Sequence, residues 1–456
     1  MRAFRRSRGQ SPHDLSAAPP SRRLRRPRGG LWGHPDFIKL WAGQTISEFG
    51  TQVSQLAIPL VAVLALDATA FEVASLGTVE FLPFILFTLP AGVWVDRVSR
   101  RMVLIAGDAG RALLLLSIPV AYGLGALTLA QLYAVGFLVG ILTVFFDVAY
   151  QAYLPSLVDR EQLVEGNAKL QTTVSGAWIA GPGLAGALIG AITAPYAILV
   201  DSVSFVLSGG FSAAIKKREQ LPAAGERRPR MRTELWEGLR YVLGHRLLRP
   251  QAISTGTSNF FSNVAFSIFV VYAVRSLHLS AALIGVAFMG FGIGWLLGSL
   301  SATRLGTKLG VGRATVLGAA LSGPGTLLVA LAPRSFPLPL IIAGGIVGGC
   351  GAVVYNIQQV SLRQTITPER LQGRMNAVMR FLVWGTMPLG SLTGGALAST
   401  IGLRETLFVG GIGGFTSVLP IILSPIRSLE GFPEPEPEPF EPGIVPPAPM
   451  PAVPDA

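Results

Sequence analysis

Two glutamates interrupt long apolar segments of the sequence. Glu48 lies in FIKLWAGQTISEFGTQVSQLAIPL, and Glu80 lies in the next apolar segment. Glu48 falls about 11 residues into its segment, a depth of roughly 16 Å in a helix that rises about 1.5 Å per residue. A carboxyl group at that depth is tolerated when neutral and is costly when ionised, so it can bind a proton in one state and release it in a hydrated state. We predict Glu48 as the carrier of a coupling proton and Glu80 as its competitor. The structural alternative for both is a hydrogen bond between packed helices.

One acid and three arginines follow directly after the second apolar segment, in PAGVWVDRVSRR (residues 90–101). A carboxylate at a helix end, such as Asp96, can face the positive N-terminus of a neighbouring helix. The arginines can pair with acids on adjacent helices. A degenerate copy, GSLSATRLGTKLGVGR (298–313), has Ala302 where the acid would be. The alternative is that the arginines only mark the cytoplasmic side of a membrane. The residues of this predicted charged cluster are Gly92, Asp96, Arg97, Arg100, Arg101 and Asp147.

A Gly-Pro motif lies in the fifth apolar segment, within SGAWIAGPGLAGALIG. Pro182 removes a helix hydrogen bond, and Gly181 and Gly186 let a partner helix approach closely. These three residues are candidates for a functional motif; the alternative is ordinary packing of small residues.

Polar side chains that could line a cavity are scattered over both halves of the chain. Aromatic residues such as Phe146 and Trp384 could add apolar contact, although they could equally face lipid or the core. A mixed lining suits an amphiphilic organic molecule better than a sugar. The cavity candidates are Gln52, Asn259, Asn263, Asn356, Gln359 and Arg380.

The composition excludes several other classes of protein. Only 14% of the 456 residues are charged, whereas soluble globular proteins have about 25%. The chain has one cysteine, Cys350, and four scattered histidines, so we expect no disulfide framework, metal site or cofactor. It has no Walker loop, HExxH or GxSxG motif, which argues against ATP-driven pumping and against a membrane enzyme.

The apolar segments predict an all-α polytopic membrane protein, since about 20 apolar residues span the hydrocarbon core as a helix. Twelve such segments are expected in two groups of six. Predicted boundaries are a disordered basic tail (1–35), an N-terminal six-helix bundle (36–214), a cytoplasmic linker with an amphipathic helix (215–250), a C-terminal six-helix bundle (251–427) and a disordered Pro/Glu-rich tail (428–456).

Positive charges concentrate on one side of the predicted spans. The connections after the first, third and fifth spans contain no Lys or Arg, and the corresponding second-half connections contain only Arg275, Arg334 and Arg404. Arginine and lysine stay in the cytoplasm, so we predict that both termini are cytoplasmic and that the chain lies in the inner cell membrane. The basic N-terminal tail would then lie near anionic lipid. The alternative, a nucleic-acid-binding arm, is weakened because its arginine runs contain no aromatic residue.

The two halves of the sequence resemble each other. Asn167-Ala168 and Asn376-Ala377 are separated by 209 residues, and Gly181 and Gly186 match Gly390 and Gly395 at the same offset. Two six-helix repeats with a long central loop are typical of transporters that rock around a site at the membrane midplane.

AGVWVDRVSRR resembles the loop signature G-x-L-A-D-R-x-G-R-R of the major facilitator superfamily, with Gly92 and Asp96 among the matching positions and Ser99 in place of the second glycine. AYLPSLVDREQLVEGNAKLQ and LRQTITPERLQGRMNAVMRF extend the resemblance to the branch of drug and siderophore exporters that includes enterobactin and macrolide efflux proteins. The resemblance implies the major facilitator fold and proton-coupled export of a drug-like or siderophore-like small molecule. It also implies that the charged cluster of Gly92, Asp96, the three arginines and Asp147 is a latch that holds the outward-open state, and that Gly181, Pro182 and Gly186 are an export motif. We expect a functional monomer. The alternatives are an importer on the same fold and a membrane sensor that transports nothing.

Overall fold

Helices form almost all of the secondary structure in the computed structural model, which describes residues 30–95, 97–159, 162–217 and 231–433. No strand occurs in these ranges. The first half contains α1 (Pro35–Leu64), α2 (Ala70–Val95), α3 (Arg100–Gly123), α4 (Leu129–Leu157), α5 (Leu163–Ile192) and α6 (Ala194–Ala213). The second half contains α8 (Leu248–Val271), α9 (Ala281–Leu309), α10 (Val311–Ala330), α11 (Leu338–Ile366), α12 (Glu369–Trp384), α13 (Thr386–Thr400), α14 (Leu403–Thr416) and α15 (Leu419–Ile422). Between the halves lies α7 (Met231–Gly244).

The helix positions agree with the twelve predicted spans, and the chain is a multi-pass membrane protein. Within the described residues, nine helical segments are long and apolar enough to cross a membrane. The remaining three spans are α1, α10 and the α12–α13 pair, which have comparable length but more polar or small residues. The eleventh span is divided at Gly385, and the twelfth is divided between α14 and α15.

Helix starts are stabilised by local side chains. The His34 Nδ1 accepts a hydrogen bond from the Phe37 N–H (3.1 Å) at the start of α1, where Pro35 occupies the first turn. Thr128 and Ser280 accept N–H groups in the same way at the starts of α4 and α9. These bonds satisfy donors that an isolated helix end leaves free.

Within each half the helices pack side by side into a bundle. In the N-terminal bundle α1 packs against α5 and α6, and α3 packs against α4 and α6. In the C-terminal bundle α11 packs between α9 and α10, and α8 packs against α13 and α14. A Cβ on Gly318 would lie 2.5 Å from the Tyr355 nitrogen, so glycine is required for the close approach of α10 to α11.

Both tails are shorter than predicted, because residues assigned to their inner ends contact the bundles. The predicted basic tail, 1–35, is too long because Gly30–Gly33 forms a 3-10 turn with a fully buried Leu31, whose N–H donates to Glu165 Oε1 (3.1 Å). The predicted C-terminal tail also begins too early, because the Leu429 carbonyl accepts a hydrogen bond from the Gly312 N–H (2.9 Å). The rest of both tails lies outside the described residues.

The linker helix α7 packs on the C-terminal bundle. Val242 is fully buried, Glu237 forms an ion pair with Arg374 of α12, and a Cβ on Gly238 would lie 2.9 Å from the Arg374 carbonyl oxygen. Trp236 is 68% exposed, as expected for an interfacial helix. The predicted C-terminal bundle starts three residues late, since α8 begins at Leu248.

Asp36 connects the start of α1 to the residues that follow α6. Its carboxylate accepts hydrogen bonds from the Lys39 ammonium (2.8 Å) and from the backbone N–H groups of Lys216 (3.2 Å) and Lys217 (3.0 Å).

Candidate functional site

Glu48 lies on α1 among charged residues of three neighbouring helices. Its Oε1 accepts a hydrogen bond from the Gln44 amide (2.7 Å), one turn away. Its carboxyl group is also within electrostatic range of Arg111 on α3 and of Asp147 on α4. The predicted proton carrier is therefore part of a cluster rather than an isolated acid.

Arg111 is the cation of this cluster. It is 5% exposed, and its Nη2 donates to Asp108 Oδ1 at 2.6 Å. Its guanidinium lies between the rings of Phe146 and Phe205, 4.1 Å from each centroid. Two aromatic faces and one carboxylate hold a guanidinium firmly in a low-dielectric environment.

Asp201 on α6 adds a further acid. It is 1% exposed and accepts hydrogen bonds from the hydroxyls of Ser54 (2.5 Å) and Ser204 (3.0 Å). It is within electrostatic range of Arg111 and Asp108. Among the described residues, the cluster thus consists of four carboxyl groups around one guanidinium, and we call it the acidic cluster: Glu48, Asp108, Asp147, Asp201 and Arg111.

Glu80 lies apart from these contacts, between α2 and α4. A Cβ on Gly136 would lie 2.8 Å from its Cγ, so the side chain packs directly on the glycine surface of α4. Its Oε1 is buried and has no hydrogen-bond partner.

The arginine-rich loop joins α2 to α3. Asp96 lies outside the described residues. Arg97 is exposed and Arg100 begins α3. The Arg101 guanidinium donates to the carbonyl oxygens of Ser212 (3.2 Å) and Ala213 at the C-terminus of α6. Arg101 therefore stabilises a helix end within its own bundle.

The other two latch residues lie away from these loop contacts. A Cβ on Gly92 would meet nothing within 4 Å. Asp147 lies in the acidic cluster, within electrostatic range of Arg111 and Glu48. The structure thus brings Asp147 to the site predicted for proton coupling.

The Gly-Pro motif lies where α5 crosses α9 of the other bundle. A Cβ on Gly186 would lie 2.5 Å from the Ala281 carbonyl oxygen, and one on Gly285 would lie 2.3 Å from the Pro182 carbonyl oxygen. On another face of α5, a Cβ on Gly181 would lie 2.4 Å from Gln52 Cγ. Gln52 is 5% exposed and packs between α1 and α5.

A second crossing joins α2 to α13. A Cβ on Gly395 would lie 2.7 Å from Ala74 Cβ, and the Thr78 hydroxyl lies 3.4 Å from the Pro388 carbonyl oxygen. Further along α2, Phe81 contacts Trp384, with ring centroids 6.0 Å apart.

An ion pair joins the two bundles at the end of the molecule where α1 ends and α2 begins. Arg275, in the π-helical turn after α8, donates to Asp67 Oδ1 (2.6 Å) and to the Ala68 carbonyl oxygen (2.9 Å) in the α1–α2 loop. We call this side the Asp67 end and the opposite side the arginine-rich end. All of the contacts given above between the two bundles lie in the half of the molecule nearer the Asp67 end.

The remaining cavity candidates lie in the C-terminal bundle. The Asn259 amide donates to the Val383 carbonyl oxygen (3.2 Å), and the Asn263 amide donates to the Asn259 carbonyl oxygen (2.9 Å). Gln359 Nε2 donates to Asn356 Oδ1 (3.2 Å) on the same face of α11. The Arg380 guanidinium lies over the Trp384 ring, 5.0 Å from its centroid.

Sequence reasoning did not identify two features of this site. Asp108 and Arg111 are three residues apart, a spacing that lets them pair on one face of a helix, but nothing in the sequence indicates that Phe146 and Phe205 enclose the guanidinium. Arg275 was noted only for its position on the less charged side, and its partner Asp67 is 208 residues away.

Comparisons with known proteins agree with this architecture. A family model described as transmembrane secretion effector matches residues 32–443. The multidrug efflux pump Tap of Mycolicibacterium fortuitum is 29% identical over 397 residues, covering 82% of this chain and 91% of the relative. Macrolide efflux protein A of Streptococcus pyogenes is 23% identical over 388 residues, covering 82% and 92%.

Solved structures share the fold at low sequence identity. A bacterial homologue of the iron transporter ferroportin in an inward-facing state matches with a TM-score of 0.67 and 17% identity, covering 85% of this chain and 98% of that chain. An outward-facing state of such a homologue matches with a TM-score of 0.56, 16% identity and the same coverage. Together, the match to the family model, the full-length relatives and the two-bundle helical fold show that the chain belongs to the transmembrane secretion effector family of the major facilitator superfamily.

Proposed function

We propose that this chain exports drug-like, amphiphilic small molecules by alternating access and that protons moving inward drive the export. The observation that carries the proposal is the acidic cluster, in which four carboxyl groups share one guanidinium inside a membrane-spanning bundle. Such groups bind and release protons as a coupled set, because ionising one makes ionising the next more costly. The names of the relatives, which are multidrug and macrolide efflux proteins, support a drug-like cargo.

The proposed orientation places the arginine-rich end in the cytoplasm, with both termini on that side of the inner membrane. This orientation follows the rule that positive charges remain in the cytoplasm. The contacts between the bundles at the Asp67 end then close the outer side, and the conformation is inward-open. The higher TM-score with the inward-facing than with the outward-facing homologue supports this assignment.

The proposed coupling step depends on the position of Glu48 beside Arg111. Asp108 already neutralises Arg111 through the 2.6 Å ion pair, so a second ionised carboxylate nearby is only partly compensated. A neutral Glu48 is therefore favoured while the site is dry. When the bundles rock and water reaches the cluster, Glu48 ionises, and proton release accompanies the change of state.

Glu80 is the less favoured proton carrier. It contacts the glycine surface of α4 rather than the acidic cluster. Its buried Oε1 without a partner is the feature that keeps it a candidate. Substitution of each glutamate separately distinguishes the two.

Everted membrane vesicles, which expose the cytoplasmic face, test the proposed function. Respiring vesicles that contain the wild type should accumulate ethidium or a tritiated macrolide, and a protonophore should abolish the accumulation. Glu48→Gln should remove accumulation but keep binding, whereas Glu80→Gln and the exposed control Glu405→Gln should leave accumulation intact. Accumulation that persists without a proton gradient would contradict proton coupling, and cargo loss from energised vesicles would indicate import. Loss of accumulation in Glu80→Gln but not in Glu48→Gln would assign proton coupling to Glu80 on α2.

A further inference from the structure

Two arginines of the C-terminal bundle interact electrostatically and have no acidic partner among the described residues. Arg363 on α11 and Arg380 on α12 are within electrostatic range of each other. Within the described ranges neither guanidinium forms an ion pair, and the Nε of Arg363 is buried without a hydrogen-bond partner. The second-half spans have acids only near their ends, so this positive charge is not balanced locally.

Three other arginines of the chain have partners in the structure. Arg111 pairs with Asp108, and Arg374 pairs with Glu237. Arg404 donates to the Ala330 carbonyl oxygen at 2.8 Å. An arginine with a purely structural role is expected to be satisfied in one of these ways, because a half-buried charge without a partner is costly.

Arg363 lies on a polar face of α11. Asn356, Gln359 and Arg363 follow the spacing i, i+3 and i+7, so they share one side of the helix. Gln359 is 4% exposed, and its Oε1 is buried without a partner. Asn356 is exposed in the second half of this 29-residue helix. It lies 209 residues after Asp147, the repeat offset, so this face is the counterpart of the face that carries Asp147 in the N-terminal bundle.

Arg380 lies next to a contact between the two bundles. It is exposed, and its guanidinium stacks on Trp384, one turn further along α12. Trp384 in turn contacts Phe81 of the other bundle. Arg380 therefore lies one turn from the contact between α2 and α12, on its arginine-rich side.

We infer that Arg363 and Arg380 bind a carboxylate group of the transported molecule. A planar guanidinium matches a carboxylate with two parallel hydrogen bonds, and the free Nε of Arg363 is one such donor. The acidic cluster lies in the opposite bundle, so a cargo with a cationic group and a carboxylate complements the charges of both bundles. This inference rests on the proposed export function and specifies its substrate class as amphiphilic carboxylates, including zwitterions.

Rhodamine B and its ethyl ester form a matched pair of probes, because they differ only in the free carboxylate. Binding of each dye to the purified full chain in phosphatidylcholine nanodiscs is measured by fluorescence anisotropy, with protein-free nanodiscs subtracted. The wild type should bind the acid about tenfold more tightly than the ester, as expected for one charge-assisted hydrogen-bonded pair. Arg363→Gln should abolish this preference without weakening ester binding, and Arg363→Lys should restore part of it. The exposed control Arg370→Gln, at the start of α12, should retain the wild-type preference.

Equal binding of acid and ester by the wild type, or a preference that survives both Arg363→Gln and Arg380→Gln, would overturn the inference. A preference lost when phosphatidylglycerol is added to the nanodiscs would also overturn it, since the arginines would then bind a lipid headgroup. Ester accumulation in everted vesicles tests export separately. An Arg363-dependent preference without transport of either dye would support the carboxylate site and contradict export.

Discussion

Arg275→Gln should weaken closure at the Asp67 end. In the structure Arg275 donates to the Asp67 carboxylate at 2.6 Å and to the Ala68 carbonyl oxygen at 2.9 Å, and these bonds connect the two bundles. The side chain of Asp67 is 96% exposed and that of Arg275 is 36% exposed, so solvent screens the pair strongly. We expect the pair to stabilise the closed state of the Asp67 end by about 1 kcal/mol, the upper part of the range for exposed pairs. Its loss should therefore change the ratio of closed to open molecules roughly fivefold.

Pulsed electron paramagnetic resonance can measure this ratio. Spin labels at Leu124→Cys and Phe336→Cys, in a Cys350→Ala background, report the distance between exposed loops of the two bundles at the Asp67 end. Arg275→Gln should increase the long-distance population, and 1 M salt should produce much of the same change in the wild type because it screens exposed charges. Asp67→Asn is the matched partner variant, since Asn tolerates the positive φ of 49° at this position.

The double variant provides the internal control. If the two residues act through one pair, Asp67→Asn together with Arg275→Gln should open the Asp67 end little more than either variant alone. Arg334→Gln, an exposed arginine on the same side, should leave the distances unchanged. Unchanged distances in Arg275→Gln, or fully additive effects in the double variant, would refute the gating role of this pair.

Three further predictions concern the bundle crossing, the loop and the topology. Gly285→Ala places a Cβ 2.3 Å from the Pro182 carbonyl oxygen and should separate α5 from α9 at a cost of about 1–3 kcal/mol. The melting temperature and the transport rate should both fall. The control Gly176→Ala, where a Cβ meets nothing within 4 Å, should behave as wild type, and equal behaviour of the two variants would contradict the crossing. Asp96→Asn should largely abolish transport without affecting membrane insertion, and near-normal transport would refute the latch. A protease added to intact spheroplasts should not remove a tag from either terminus, and removal would refute the proposed topology.

Helix positions were predictable because hydropathy and span length are local properties of the sequence. The amphipathic pattern of the linker is likewise a local property, and α7 lies within the linker. The division at Gly385 was not predictable, since glycine occurs inside many of the unbroken helices of this chain. The tail boundaries were wrong because the burial of Leu31 and the hydrogen bond to the Leu429 carbonyl depend on contacts with distant segments.

The candidate site was predictable only in part. Glu48 and the Asp108–Arg111 spacing were visible because an ionisable residue in an apolar run is conspicuous. Their grouping with Asp147 and Asp201 was not visible, because it depends on which faces of α1, α3, α4 and α6 meet. The pairing of Arg275 with Asp67 joins two loops in different bundles, and neither loop contains a pattern that specifies the other.

Proton movement that accompanies cargo movement tests the central claim most directly. Everted vesicles are acidified inside by respiration, the internal pH is followed with an acridine dye, and the cargo identified in the accumulation assay is then added outside. The account predicts a saturable, cargo-dependent release of protons from the vesicle interior that Glu48→Gln abolishes and Glu405→Gln retains. Cargo accumulation without proton release, or proton release that Glu48→Gln leaves unchanged, would contradict it.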